Sequence, residues 1–319
     1  MSPLDFSLLV LVGAFGGGLF GAAIGGLNAF IFTGITVLVG VGIGVSGGDF
    51  DWLGNVAFGP VFGPHIAFSG GVAAAAFAKQ QGLLEDGKDI ASGMVGFANP
   101  MVLIVGGVFG IIGHAGVQLL NQVPLDIGLG GGYTDTIALM VALSNIISRV
   151  VFGKSGIIGK LSEEAAARGR FVADGANVWV PFQKDWGMAA VIGIGAGAIG
   201  AFVVGAGFMQ GGEDLAGAVV VTGFGISAAS LMFLTFGKDC PVTHHMTLPA
   251  AVATAQMLFA GVAVEGAILV GVVFGAIGAL LGEFFARLFL IHGDTFVDPP
   301  ANAIWVGTTL AFLLGFIVG

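Results

Sequence analysis

The sequence predicts an all-α polytopic integral membrane protein, with eight to ten transmembrane helices in two homologous repeats of five hydrophobic elements. Three observations predict it. The first is composition: 56% of the 319 residues are hydrophobic and 9% are charged, where a soluble domain carries about 25% charged residues. With a mean hydropathy of +1.02, the chain has too few charges to cover a water-facing surface. The second is repetition. Residues 105–113, VGGVFGIIG, return as VGVVFGAIG at 270–278, with seven of nine identical at an offset of 165. Ile66–Phe77 aligns with Met246–Met257, and Leu11–Gly25 with Val191–Gly205, both at an offset of 180. Repeats are read before local structure because they set the whole architecture. The third is glycine spacing. Gly13, Gly17, Gly21 and Gly25 recur every fourth residue, and Gly193 and Gly197 repeat the pattern. Such stripes let helices approach closely where lipid supplies little hydrophobic force between them; the alternative is an interface in a homo-oligomer.

The elements of the first repeat are expected at 6–25, 29–46, 64–79, 98–121 and 134–152, and those of the second at 187–207, 215–236, 247–260, 266–290 and 300–318. The N-terminal Met1–Asp5 has no basic residue, unlike a signal peptide, so Phe6 opens the first span. Eight elements approach the roughly 20 apolar residues a spanning helix needs. The third of each repeat is shorter and follows helix-breakers, at Phe58–Pro64 and Gly237–Pro241. These are expected as short, broken or re-entrant helices that begin inside the protein, where irregular backbone must be buried or line a cavity. The layout is a first membrane repeat at 1–152, a linker at 153–185 and a second membrane repeat at 186–319.

Lys and Arg set the orientation. Six of the ten (Arg149, Lys154, Lys160, Arg168, Arg170 and Lys184) flank or lie in the linker, which is therefore expected in the cytoplasm beneath an inner membrane. If the third elements cross, the halves are inverted and all ten basic residues fall inside; Asp49, Asp51, Asp126, Glu213, Asp214 and Glu265 fall outside. If they re-enter, the halves are parallel and only Arg287 moves out. The inverted arrangement is preferred. Within the linker, Ser162, Glu163 and Glu164 before Ala165–Ala167 and Arg168 predict a short capped helix matched to its dipole. Trp179, Phe182 and Trp186 suit an interfacial belt.

His65 and His245 occupy equivalent positions at the starts of the short third elements. Two helix N-termini facing one another would make an anion site, with Ser69, Thr243 and Thr247 as hydroxyl donors and His244 adjacent. Asp135 and Asn302 correspond approximately at the starts of the fifth elements and are candidates for substrate or proton binding; Asp135 also reads as a cap, and Asp298 before Pro299 as a cap with proline at the first helical position. Glu283 and Arg287 read as an intrahelical ion pair, with Gln118 equivalent to Glu283 and His114 one turn before it. Asp239, Cys240, His244 and His245 form a D-C-x3-H-H cluster that suggests zinc or copper, but the first repeat lacks it, and no metal or cofactor is expected.

The net charge of −9 argues against nucleic acid as a partner. No Walker lysine motif, HExxH or GxSxG occurs, and the dinucleotide-like GAFGGG and GIGAGAIG lie inside apolar runs. The organisation resembles inverted-repeat secondary transporters, without a diagnostic motif. The expected function is a transporter or channel, not an enzyme, that moves a small solute, preferably an anion, between the repeats. The alternatives are a membrane subunit of a redox or ion-pumping complex, and a membrane enzyme built on the Asp239/Cys240/His244/His245 cluster.

Overall fold

The computed structural model describes residues 4–123 and 134–319; Asp126, expected on the external side, lies outside them. The described residues are all-helical, with 71% helix and no strand. Helix α1 (Leu8–Ile24) starts at Ser7, whose hydroxyl accepts the Val10 N–H. It ends at Gly25, where a φ of 93° lets α2 (Gly26–Val45) begin one residue later in a new direction. Two π-helical turns follow, at Leu53–Ala57 and Pro64–Phe68, and the second runs directly into α3 (Ser69–Gln80). Asn99 caps α4 (Pro100–Leu120) and Asp135 caps α5 (Thr136–Phe152). The linker helix α6 (Glu163–Arg168) has Ser162 as its cap, as its charge pattern predicts.

In the second half, α7 (Trp186–Val219) outruns its expected end. It kinks where Gly211 and Gly212 leave helical geometry. Helices α8 (Thr222–Ser230) and α9 (Met232–Thr235) divide what the sequence reads as one element. Helix α10 (His244–Phe259) begins three residues earlier than 247, with Pro249 inside it. Helix α11 (Val264–Phe285) closes in a π turn at Ala286–Leu290, and α12 (Pro299–Val318) is capped by Asp298.

Among the described residues, five helices are long and apolar enough to cross a membrane: α2, α4, α7, α11 with its π turn, and α12. Leu8–Ile24, Thr136–Phe152 and Thr222–Thr235 are shorter apolar helices. Large apolar side chains such as Leu9, Val191, Phe202, Met209, Leu269 and Ile317 are exposed. So many large apolar side chains left exposed suit lipid.

Close contacts fix the helix directions. Gly18 meets the Gly106 carbonyl and the Gly110 backbone, while Ala14 meets Gly110 and Ala22 meets Gly106, so α1 and α4 are antiparallel. Gly193 against Ala279, Ala201 against Gly271 and Gly205 against Ile268 make α7 and α11 antiparallel in the same way. Helix α3 also opposes α4, with Gly113 on the His65 carbonyl and Gly70 near Gly106. Helices α5 and α12 oppose each other: Thr134 bonds Thr309 at 2.6 Å, and the Asp298 N–H donates to Asn145 Oδ1 at 3.1 Å.

At the centre lie α3 and α10, buried along almost their whole length; Ser69–Ala76 and His244–Ala251 have no exposed residue. Gly113 seats on the His65 carbonyl and Gly278 on the His245 carbonyl. Pro249 has no N–H for the His245 carbonyl four residues earlier, and in the first half the π turn sends the Ser69 N–H to Pro64 instead. Two backbone irregularities thus stand at the same contact. The glycine stripe is used within the chain: Gly17 lies on the Pro60 and Val61 carbonyls, Gly21 on Ala67, Gly13 on Pro60, and Gly193 and Gly197 on Gly275.

Polar ties hold the ends. The buried Arg287 pairs with Glu283 at 2.5 Å, donates to the Lys184 carbonyl at 2.6 Å and lies 4.3 Å over the Trp186 ring. The sequence anticipates the ion pair but not the tie to residue 184. Arg149, counted in the sequence only as an orientation signal, is buried: it bonds Thr295 Oγ1 and the Ile157 carbonyl at 3.0 Å each, and the Phe289 and Thr295 carbonyls. Nearby Asp294 accepts from Ser155 Oγ and the Lys154 N–H, both at 2.6 Å. Burial would raise the Asp294 carboxyl, yet these bonds hold it below its usual value.

Candidate functional site

Two adjoining cavities, of about 270 and 300 Å³, open between the halves, near the lower end of small-molecule sites (~300–1,000 Å³). They share Phe30, Phe68, His244 and Asp298. The polar side chains of the first are Asp135, His244 and Asp298; the rest of its wall is aliphatic, aromatic or proline. Trp179 and Phe182 line the second, so the end of the linker forms part of its wall. Trp179 turns inward, with its ring centroid 5.7 Å from that of His245, rather than serving as a belt residue.

The capping aspartates are placed by local geometry. Asp135 accepts the Ala138 N–H at 2.8 Å, and Asp298 accepts the Ala301 N–H at 2.8 Å. Each cap thus places an aspartate among the residues that line the first cavity, at the start of a helix. His244 is 4% exposed, and its Nδ1 has no hydrogen-bond partner among the described residues. Its ring lies 4.6 Å from Phe30 and 5.9 Å from Phe224.

The histidines singled out by the sequence are buried but line neither cavity. His65 and His245 are 3% and 0% exposed, and both serve helix packing through the carbonyl contacts with Gly113 and Gly278. The first residues of the two expected helix ends, Pro64 and His244, do line one cavity, 180 residues apart, while His65 and His245 beside them do not. A helix turns about 100° per residue, so the neighbouring position points elsewhere. Ser69 is buried with no bond to its hydroxyl among the described residues, and Thr247 donates to the His244 carbonyl at 3.3 Å. Thr243, at the N-cap, offers its carbonyl to Met246 and Thr247. None of these three lines a cavity.

Asn302 does not line either cavity. It is buried, donates to the Asp298 carbonyl at 2.7 Å and supports the cap. The cavity-lining aspartate that accompanies Asp135 is Asp298, at an offset of 163; the repeated Asp-x-x-Ala at 135–138 and 298–301 was the signal that would have found it. The D-C-x3-H-H cluster does not assemble: Cys240 donates to the Ser230 carbonyl at 3.4 Å, and no three His, Cys, Asp or Glu groups among the described residues converge on a metal position. Gln183, unnoticed in the sequence, is fully buried and exchanges bonds with the Val242 backbone just before α10.

Five pairs of wall residues in the first cavity stand at fixed offsets. Pro64 and His244, and Phe68 and Leu248, are 180 apart; Asp135 and Asp298, Ala138 and Ala301, and Val141 and Ile304 are 163 apart. The model of the family of unknown function DUF7973 matches residues 2–171 and, separately, 159–318. The chain belongs to that family. No curated protein and no solved structure matches it. The family carries no assigned activity, so what its members do must be argued from the site.

Proposed function

We propose that the chain is a membrane transporter or channel for a small solute, made of two inverted halves of one five-element unit, with the first cavity as its binding chamber. The observation that carries this reading is the cavity wall itself, drawn from both halves in five matched pairs. The separate matches of one family model to residues 2–171 and 159–318 support duplication. The antiparallel packing of the equivalent helices α5 and α12 supports inversion, as does that of α1 and α4, since two crossings, α2 and α3, lie between them only if α3 crosses, and a single one would leave them parallel. On this reading 1–152 and 186–319 are the two membrane repeats, and 153–185 is a linker on the cytoplasmic face of the inner membrane, where Lys and Arg gather. Inverted repeats with a site at their interface are an arrangement used for alternating access. No chemical step is assigned to the cavity, and the bilayer and the solute are the partners the reading needs.

The solute is not an anion on this reading, contrary to the preference drawn from the paired histidines. Asp135 and Asp298 both face the chamber, and carboxylates repel negative charge. The test is flux through proteoliposomes holding the purified chain, with a panel of small cations, neutral polyols and anions. One solute class should cross. Ala138→Trp and Ala301→Trp, which fill the chamber, should each stop that flux while the protein still inserts. Transport unaffected by both substitutions, or no protein-dependent flux of any class, would refute the reading.

A further inference from the structure

Building on the transport reading, we infer that the chamber selects a short linear dication, an aliphatic α,ω-diamine, with one ammonium group at Asp135 and the other at Asp298. The two carboxylates belong to opposite ends of the chamber. Helices α5 and α12 are antiparallel, and the Asp298 N–H is bonded to Asn145, ten residues along α5 from Asp135. At 1.5 Å per residue that places the two caps roughly 15 Å apart. Between them the wall is apolar, with Phe30, Phe68, Phe224, Leu248, Val141 and Ile304. A methylene chain suits that wall, and its charged ends suit the two carboxylates.

Other occupants fit less well. An anion would need free N–H groups, yet Pro64, Pro299 and Pro300 carry none at three leading helical positions. The Ala138 and Ala301 N–H groups are already held by the aspartates. A single metal ion would need ligands that converge, and these do not. A monocation would pair with one carboxylate and leave the other without a counter-charge, which is costly in a buried site. His244 supplies the independent sign of a ligand. Its ring is 4% exposed, it borders both cavities, and its Nδ1 has no partner among the described residues. That nitrogen can accept a bond from an ammonium N–H. The partial positive charge at the helix N-termini offsets some of the carboxylate charge, so selectivity rests on both ends being engaged.

Each aspartate side chain and its hydrogen bond use part of the span and leave about 6–9 Å, while an extended chain advances roughly 1.2 Å per bond. The preferred ligands are therefore diaminobutane to diaminohexane. The experiment is calorimetric binding to the full chain in detergent, using a ladder from diaminopropane to diaminooctane, with pentylamine, pentanediol and glutarate as controls. Diaminopentane should bind about tenfold or more tighter than pentylamine. Asp135→Asn and Asp298→Asn keep a cap-competent side chain and should each erase that preference. Equal binding of diaminopentane and pentylamine, preferential binding of glutarate or pentanediol, or no binding of any diamine by the intact chain would overturn the inference. The ladder on the intact chain decides even if a variant fails to fold. Uptake of labelled diaminopentane into proteoliposomes separates the two claims: binding without uptake sustains the site and refutes transport, whereas flux of another solute without diamine binding refutes this inference alone.

Discussion

In the first half, the approach to α1 is held by hydrogen bonds to α4, with no ion pair between the side chains involved: the His114 Nε2 lies 2.7 Å from the Asp5 carbonyl, and the Asp5 N–H donates to Gln118 at 3.4 Å. In the second half, the approach to α7 is held by ions. Arg287, paired with Glu283, bonds the Lys184 carbonyl. Glu283 is the counterpart of Gln118 at the offset of 165, and Asp185 that of Asp5 at 180. One clamp, the fourth long helix gripping the segment before the first, is built from different chemistry in the two halves. The difference teaches that one packing geometry can be held by unlike side-chain chemistry, hydrogen bonds in one place and a buried ion pair in the other. The same holds at the chamber, where Pro64 stands opposite His244 while the two aspartates remain alike.

The sharpest way to break this comparison is to remove the ionic clamp. Arg287→Leu leaves Glu283 buried without its partner, and breaking a buried pair costs about 3–5 kcal/mol. Gln118→Leu removes one long hydrogen bond to an exposed backbone and should cost about 1 kcal/mol or less. Unfolding free energies in detergent would measure both. Equal losses would mean that the clamps contribute alike and that the charge in the second half is incidental.

Much of the fold was legible because helices, caps and close packing leave local marks. The glycine stripes, Ser162, Asp135, the Asp298-Pro299 pair and the Glu283–Arg287 pair each require a particular residue at a particular spacing, and the structure contains those contacts. What was not legible depends on angles that spacing does not encode. Whether residue 244 or 245 faces a cavity turns on where α10 starts, and Pro249 made an early start hard to read because proline suits a first turn better than a second. The kink at Gly211 and Gly212 hides among 59 glycines. Arg149 looked like a surface charge because its partners, Thr295 and the carbonyls of Ile157 and Phe289, come together only in three dimensions.

A second comparison sets packed glycines against open ones in both halves. A Cβ on Gly17 collides with the carbonyl oxygens of Pro60 and Val61, and one on Gly197 meets Gly275; one on Gly16 or Gly195 meets nothing within 4 Å among the described residues. Gly17→Leu and Gly197→Leu should each destabilise by about 1–3 kcal/mol, as overpacking does. Gly16→Leu and Gly195→Leu should change stability by less than roughly 0.5 kcal/mol. Melting of the four variants in one detergent tests this. A large loss at Gly16 or Gly195 would point instead to contacts with another molecule, such as a second copy of the chain.

The smallest expected effect separates the structural role of the chamber aspartates from the charge they bring to it. Both accept one helix N–H at 2.8 Å, and losing such a cap typically costs about 0.5–2 kcal/mol. Asp135→Ala and Asp298→Ala should therefore lose similar amounts, because the bond is the same in each half. Asp135→Asn and Asp298→Asn should lose a few tenths of a kcal/mol at most, since asparagine caps about as well as aspartate. If the caps are the whole purpose of these residues, asparagine will leave both stability and solute binding unchanged. If the carboxylates also serve the chamber, asparagine will preserve the melting temperature and still abolish selectivity. A larger loss for Asp298→Ala than for Asp135→Ala would show that Asn302, which bonds the Asp298 carbonyl where Leu139 stands four residues after Asp135, reinforces one cap more than the other.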